Sequence, residues 1–315
     1  MADTTGKGQY QMQAPDDFNP TPGLPEELQP GVRRLLAPNP SPMTYRGTNT
    51  YLIGTRDLAV IDPGPQMESH LEAIIAAVQP GQHISHVIVT HSHLDHSPLA
   101  RGLAERCGAS VYGFGGSEAG RSAIMQELVA AGMKSGGEGI DRAFSPDITL
   151  VDGEFLSGEG WELEVIHTPG HLGNHIALAL GDACFTADHV MGWASSLVSP
   201  PDGDLTDFMA SCARLRARDW RVFYPGHGGA VTAPQERLDW LIAHRQGREA
   251  EILSALATAP ATPAALARLI YKETPAALLP AAERNVFAHL VDLVGRSKVE
   301  PCGEFAETAS FQLRV

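Results

Sequence analysis

Basic charge is scarce in this chain: 23 Lys and Arg stand against 37 Asp and Glu over 315 residues, for a formal net charge of −14. Gripping nucleic acid through its phosphates takes clustered Lys and Arg, and adhesion to an anionic membrane takes the same. The global balance speaks against both and leaves room only for a local basic patch. Cysteine is scarce too. Cys107, Cys184, Cys212 and Cys302 lie far apart and form no CxxC pair, which argues against a disulfide framework. They read as reduced thiols of a soluble, cytoplasmic protein. No run of about 18 apolar residues is present, so no spanning helix is expected. The segment Met1 to Lys7 lacks the basic and apolar stretches of a secretory leader. Internal repeats and low-complexity tracts are missing as well.

What is there suffices for a large core, since 43% of the residues are hydrophobic and a chain of this length needs no staples. Residues 1–30 carry Pro15, Pro20, Pro22, Pro25 and Pro30; prolines at that density predict an irregular lead-in. Residues 31–233 alternate short apolar runs with helical spacings, the pattern of an α/β domain. Strands are expected at 32–36, 50–53, 58–61, 86–90, 110–114, 148–151, 161–166, 175–180, 183–185 and 222–224. Helices are expected at 67–78, 98–107, 121–133 and 204–218, the third running into a Gly-rich stretch at 135–139. Residues 234–315 predict a long helix over 234–258, two shorter ones at 263–271 and 281–294, and a ribbon over 299–315, the outline of a winged-helix domain.

The chemistry concentrates at four places where a strand empties into a loop, which is where α/β proteins put their ligand sites. The first is His91-Ser92-His93-Leu94-Asp95-His96, directly after the apolar run ending at Thr90. His91 and His93 lie two apart, so an extended backbone points them the same way. Three imidazoles and a carboxylate within six residues are costly to bury without partners, and a divalent metal satisfies them together. The others are His167-Thr-Pro-Gly-His171, Asp188 after the strand 183–185, and His227 in Tyr224-Pro-Gly-His-Gly228. Each turn holds Gly or Pro, or follows a strand end, and aims a side chain back over the sheet.

HxHxDH, then HTPGH, a lone Asp and PGHG, in that order, resemble the metallo-β-lactamase superfamily over roughly residues 31–230. The stretches Arg46–Gly54, Val60–Gly64, Gly170–His175, Tyr224–Gly228 and Leu269–Lys272 look like its β-lactamase-like protein 2 branch. The glyoxalase II and tRNA-maturation nuclease branches are similar at the metal motifs alone. The resemblance implies an αβ/βα sandwich of two mixed sheets. It implies His91, His93 and His171 on one ion, Asp95, His96 and His227 on a second, and Asp188 bridging. Nitrogen and carboxylate ligands suit Zn2+, with Mn2+ or Fe2+ open. Two such ions sharing one water make a hydroxide near neutral pH. It attacks an ester, thioester, lactone, amide or phosphodiester, and Asp95 is placed to carry the proton. Ala187 departs from relatives that have Gly before the bridging Asp. Asp62 is expected to orient a ligand. His175 and His189 support a ligand or touch substrate, and His167 is structural. Tyr45, Asn49, Trp193 and the loop 199–204 stand as cleft rim or ordinary loop.

Fold and metal motif do not choose a substrate. A small molecule is one reading; single-stranded RNA, cut by an endoribonuclease, is the alternative. A third, of another class, is a DNA-binding winged-helix protein with a vestigial hydrolase domain. It is disfavoured, because from residue 249 onward six basic side chains face eight acidic ones, the opposite of a DNA reader's footprint. The helical domain reads instead as a wall of the cleft or as the dimerisation element of a homodimer.

Overall fold

The computed structural model describes residues 17–134 and 139–314. The start of the Pro-rich lead-in and most of the Gly-rich stretch at 135–139 lie outside them. Pro25 and Pro30 do not leave their neighbourhood irregular. They bracket a strand, β1 (Glu26–Gln29), which pairs antiparallel with β2 (Val32–Leu36) at the edge of a sheet. An edge strand uses only one ladder, so flanking prolines cost it little; this is where the expectation of an irregular lead-in fails.

The first sheet has seven strands in sequence order. After β1 and β2 come β3 (Asn49–Ile53), β4 (Asp57–Ile61), β5 (His83–Ile88), β6 (Ser110–Gly113) and β7 (Ile148–Thr149). It is antiparallel through β4 and parallel from there on. The crossovers carry α1 (Glu68–Ala76), α2 (Leu99–Cys107) and α3 (Ala123–Ala130). The second sheet runs β12-β11-β10-β9-β8, from β8 (Phe155–Gly158), β9 (Trp161–His167), β10 (Ile176–Leu180), β11 (Ala183–Ala187) and β12 (Val222–Pro225). Between β11 and β12 lies α4 (Leu205–Arg216). Its N-cap Asp204 accepts hydrogen bonds from the backbone of Thr206 and Asp207, a cap worth about 1 kcal/mol.

The sheets face each other because their strands alternate. In β9, Trp161, Leu163 and Val165 point into the space between the sheets, where Tyr51, Ile61, Leu178 and Phe185 meet them; Glu162 and Glu164 point away. β5 carries an extra residue at Ser85, where the register with β4 slips. The bulge keeps Ile84 and Val87 on the outer face against α1 and α2, and Ile88 remains on the inner one. The regular strand β5 ends at Ile88, two residues before the expected end, although the Val89 amide still donates to the Tyr112 carbonyl of β6.

α5 (Pro234–Leu256), α6 (Pro263–Ile270), a 3-10 turn (Ala276–Leu278), α7 (Leu279–Gly295) and the ribbon of β13 (Val299–Pro301) and β14 (Phe311–Leu313) follow. The long helix α5 joins two cores. Leu238 and Leu241 near its start pack under the second sheet, while Ile252 and Leu256 near its end pack with α6 and α7. Met125 and Leu128 of α3 join that second group. An αβ/βα sandwich and a C-terminal winged helical domain are thus present, locked together across shared cores. No helix among the described residues is long and apolar enough to cross a membrane.

Candidate metal centre

Four loops converge on one edge of the sandwich. Thr90 to His96 leave β5, His171 follows β9, Asp188 follows β11 and His227 follows β12. Two glycines let the loops approach. At Gly170 (φ +137°) a side chain would collide with the backbone of Phe208 in α4. At Gly226 one would run into the Asp188 carboxylate and lie 2.8 Å from Cε1 of His96. The backbone at both positions comes too close for any Cβ.

The seven motif residues divide into two adjacent groups of ligand atoms, each gathered within 4.8 Å: His91, His93, His171 and Asp188, and Asp95, His96 and His227. In the first, Nε2 of His91 and Nε2 of His171 each lie 3.0 Å from Nδ1 of His93. Their neighbours settle which nitrogens carry protons. Thr90 donates its only hydroxyl proton to Asp62, 2.7 Å away. It must therefore accept from Nδ1 of His91, 3.0 Å away. Nδ1 of His171 donates to the Leu197 carbonyl at 2.7 Å. The inward Nε2 atoms of both rings are then bare lone pairs. A proton on Nδ1 of His93 could serve only one of them, whereas a cation serves all three. Burial, with the charges of His96 and His93 added, holds His91 well below the usual imidazole range. Burial also brings His93 down to about 3 and lowers His171, so the three rings stay neutral, as metal ligation requires.

The second group is built on the same plan. Nδ1 of His96 donates to Asp62 at 2.9 Å, and Nδ1 of His227 to the Gly47 carbonyl at 3.1 Å, leaving both Nε2 atoms turned inward. Asp95 Oδ2 lies 3.3 Å from Nε2 of His96 and 3.2 Å from Nε2 of His227. Asp188 stands between the groups, Oδ2 being 3.6 Å from Nε2 of His171 and 3.3 Å from that of His227. Nε2 of His96 and Oδ1 of Asp188 are buried without a hydrogen bond. Burial alone would lower His96 and His227, but the carboxylates of Asp95 and Asp188 outweigh it and raise both. Burial would raise Asp95 and Asp188 in turn, and the same two imidazoles hold them well below the usual range. The pocket therefore demands positive charge beside its carboxylates and a Lewis acid among its bare imidazoles. Divalent metal ions fit both demands.

Asp62 connects the two groups. It sits in left-handed backbone (φ 49°), a conformation that Asp tolerates. It accepts from Thr90 N, Thr90 Oγ1 and His96 Nδ1, so it steers one ring directly and another through Thr90. His175 and His189 are fully buried and are not among the residues that line the cleft. His175 lies behind His91 with ring centroids 5.1 Å apart, and His189 rests on Phe208 at 4.4 Å. His167 bonds the Gly173 carbonyl and stacks on Phe114. Trp193 and Thr44 line the cleft; Tyr45 backs Trp193 with ring centroids 5.3 Å apart. Asn49 is no rim residue: it is buried and its amide clamps the carbonyls of Pro225 and Gly228 on either side of His227. Sequence reasoning missed Thr48, whose hydroxyl donates to Asp95 at 3.1 Å. It also missed Thr90 and Leu197, the partners that fix two histidine tautomers. Only Thr90, adjacent to the motif, left a signal.

Residues 43–227 match the family model of the metallo-β-lactamase superfamily, and residues 262–304 that of the β-lactamase-associated winged helix domain. The chain belongs to the metallo-β-lactamase superfamily and is a hydrolase of that fold. It is similar to the β-lactamase-like protein 2 homolog of Drosophila melanogaster, at 31% identity over 86% of this chain and 90% of the relative. It is also similar to the atrochrysone carboxyl ACP thioesterase of Aspergillus fumigatus, at 33% identity over 75% of this chain and 68% of the relative. Among solved structures, a β-lactamase domain protein from Burkholderia ambifaria shares the fold, with TM-score 0.78 and 22% identity over 95% of this chain and 96% of the other. A metallo-β-lactamase family protein from Thermus thermophilus follows at TM-score 0.73 and 25% identity, covering 91% of this chain and 100% of the other.

Proposed function

We propose that the protein is a two-zinc hydrolase of acyl esters or thioesters. His91, His93 and His171 would hold one ion and Asp95, His96 and His227 the other, with Asp188 available to both. The observation that carries this reading is the pair of adjacent ligand groups, one with bare inward-facing imidazole nitrogens and one with imidazoles turned on carboxylates. A donor set of nitrogen and carboxylate without thiolate suits zinc, and also Mn2+ or Fe2+. Bound there, the ions supply a water acidified towards neutrality and a Lewis acid for the oxygen that gains charge.

The chain's own residues do the rest. Asp95 is the most open of the carboxylates, with 26% of its side chain exposed, and Thr48 fixes its Oδ2. It takes the proton of the attacking water and passes it to the leaving group. Asp95→Asn is expected to keep both metals and to lower kcat at least 100-fold, within the usual range for a general base; full activity with both metals bound would remove that role.

The substrate cleft has a volume of about 2160 Å³ and runs from His93, Asp95 and His227 past Trp193 to Tyr271 and Phe305 of the helical domain. That exceeds a typical small-molecule pocket of roughly 300–1,000 Å³ and suits an elongated acyl group. Away from the ligands, the described residues of its wall include five glutamates and four basic side chains. Of the latter, Arg248 is paired with Glu251 and Arg284 with Glu307, so little positive charge is left to track a phosphodiester backbone. The relative named as an acyl-carrier thioesterase adds weight. Zinc-loaded protein should be assayed on acyl thioesters, simple esters, a lactone, nitrocefin, bis-p-nitrophenyl phosphate and single-stranded RNA. The acyl substrates are expected to lead in kcat/KM by tenfold or more, and RNA leading instead would overturn the assignment.

A further inference from the structure

His171 owes its orientation to a carbonyl that no sheet or helix holds. Leu197, whose oxygen accepts from His171 Nδ1 at 2.7 Å, lies in a segment without regular structure. Its direction is set by its two neighbours, and both are gripped from the helical side of the molecule. The Ser196 carbonyl accepts from Nη2 of Arg245 on α5. The Val198 amide donates to Oδ1 of Asn285 on α7 at 3.1 Å. Arg245 and Asn285 are themselves joined, Nη1 to Oδ1, at 3.0 Å. Ser196 in turn donates its hydroxyl to the backbone carbonyl of Asp188 and lies 3.2 Å from Nδ1 of His171. One bridge thus reaches from α5 and α7 to a histidine of the site and to the backbone of Asp188.

Arg245 is an expensive residue to hold there. It is 2% exposed, no carboxylate pairs with it among the described residues, and its Nε has no hydrogen-bond partner. Its guanidinium lies over the Phe208 ring at 5.1 Å. A buried cation without a counter-ion weakens a fold relative to an apolar side chain of similar size, so stability does not account for its presence, whereas control of the 196–198 backbone does.

We propose that Arg245 and Asn285 are positioning residues for His171. By fixing the Leu197 carbonyl they keep the proton on Nδ1 and aim a bare Nε2 at the site shared with His91 and His93, as partners behind metal ligands do elsewhere. The proposal rests on the metal-centre reading above, and gives the C-terminal domain a part in metal binding.

The test measures zinc affinity of each equivalent by chelator competition, and the visible spectrum of the Co2+-substituted protein, for Arg245→Met, Asn285→Ala and the double variant. One equivalent is expected to weaken 10- to 100-fold in each single variant while the other keeps its affinity, with a changed Co2+ spectrum. The double variant should be no worse than the weaker single, since the two side chains act as one unit. Arg296→Gln, which breaks an exposed α7 pair with Glu249, should leave both equivalents intact. Folded Arg245→Met or Asn285→Ala protein that binds both equivalents as wild type does would overturn the proposal, as would an equal loss in Arg296→Gln. Should Arg245→Met fail to fold, Asn285→Ala decides alone. Wild type that takes up no zinc would remove the metal-centre reading itself, a result distinct from unchanged variants.

Discussion

At the scale of single residues, the centre is governed by where protons must sit. Each histidine of the motifs except His93 has its outer nitrogen committed to a fixed acceptor: Thr90, Asp62, Leu197 or Gly47. The remaining nitrogen of each is thereby turned into the site. Ala187 shows what this arrangement costs. It precedes Asp188 in left-handed backbone, φ 41°, where an L side chain pays roughly 1–2 kcal/mol. The glycine that relatives carry at that position now has a physical reason. Ala187→Gly should raise the stability of the chelated protein by about 1 kcal/mol in urea unfolding; a loss of stability would show that the methyl packs better than the backbone suffers.

At the scale of elements, the turns rather than the strands aim the site. The turn between β9 and β10 can place His171 only because Gly170 lets it press on α4, so Gly170→Ala must push the backbone of Phe208 aside. A loss of about 3 kcal/mol or more is expected, since neither a positive φ nor a backbone clash relaxes cheaply; unchanged urea unfolding would contradict the tight packing of turn on helix. Most of the elements were legible in the sequence because apolar period and Gly/Pro punctuation coincide, as in β9 and α4. β1 was not, because three polar residues and the lone Leu28 between prolines, none of them buried, carry no strand pattern and become a strand only by pairing with β2. β8 was unread for a similar reason, with Leu156 alone buried along it. The seven motif residues were legible as a set because HxHxDH has no cheap burial without a metal. Thr48, Leu197 and Arg245 were not, since they act through backbone and hydroxyl contacts between segments far apart in sequence.

At the scale of the whole molecule, the two halves share cores and the metal centre sits against both. Buried neutral histidines give the fold a pH dependence apart from metal. His70 is buried and, among the described residues, bonds Thr50 Oγ1 through Nε2 while Nδ1 has no partner; burial lowers it to about 4. The unfolded chain takes up this proton near pH 6.5 and the native state only near 4. Stability is therefore lost as pH falls through that window, by up to about 3 kcal/mol for this group. Urea unfolding of chelated protein at pH 7.5 and 4.5 checks it, and His70→Gln should remove that share of the slope; an identical slope in the variant would show that other groups carry it.

Metal content tests the central claim most directly. Protein stripped with chelator, reloaded with zinc and freed of excess should hold two equivalents per chain by elemental analysis, and His96→Ala should hold one. Wild-type protein that retains no stoichiometric metal after reloading would contradict the account.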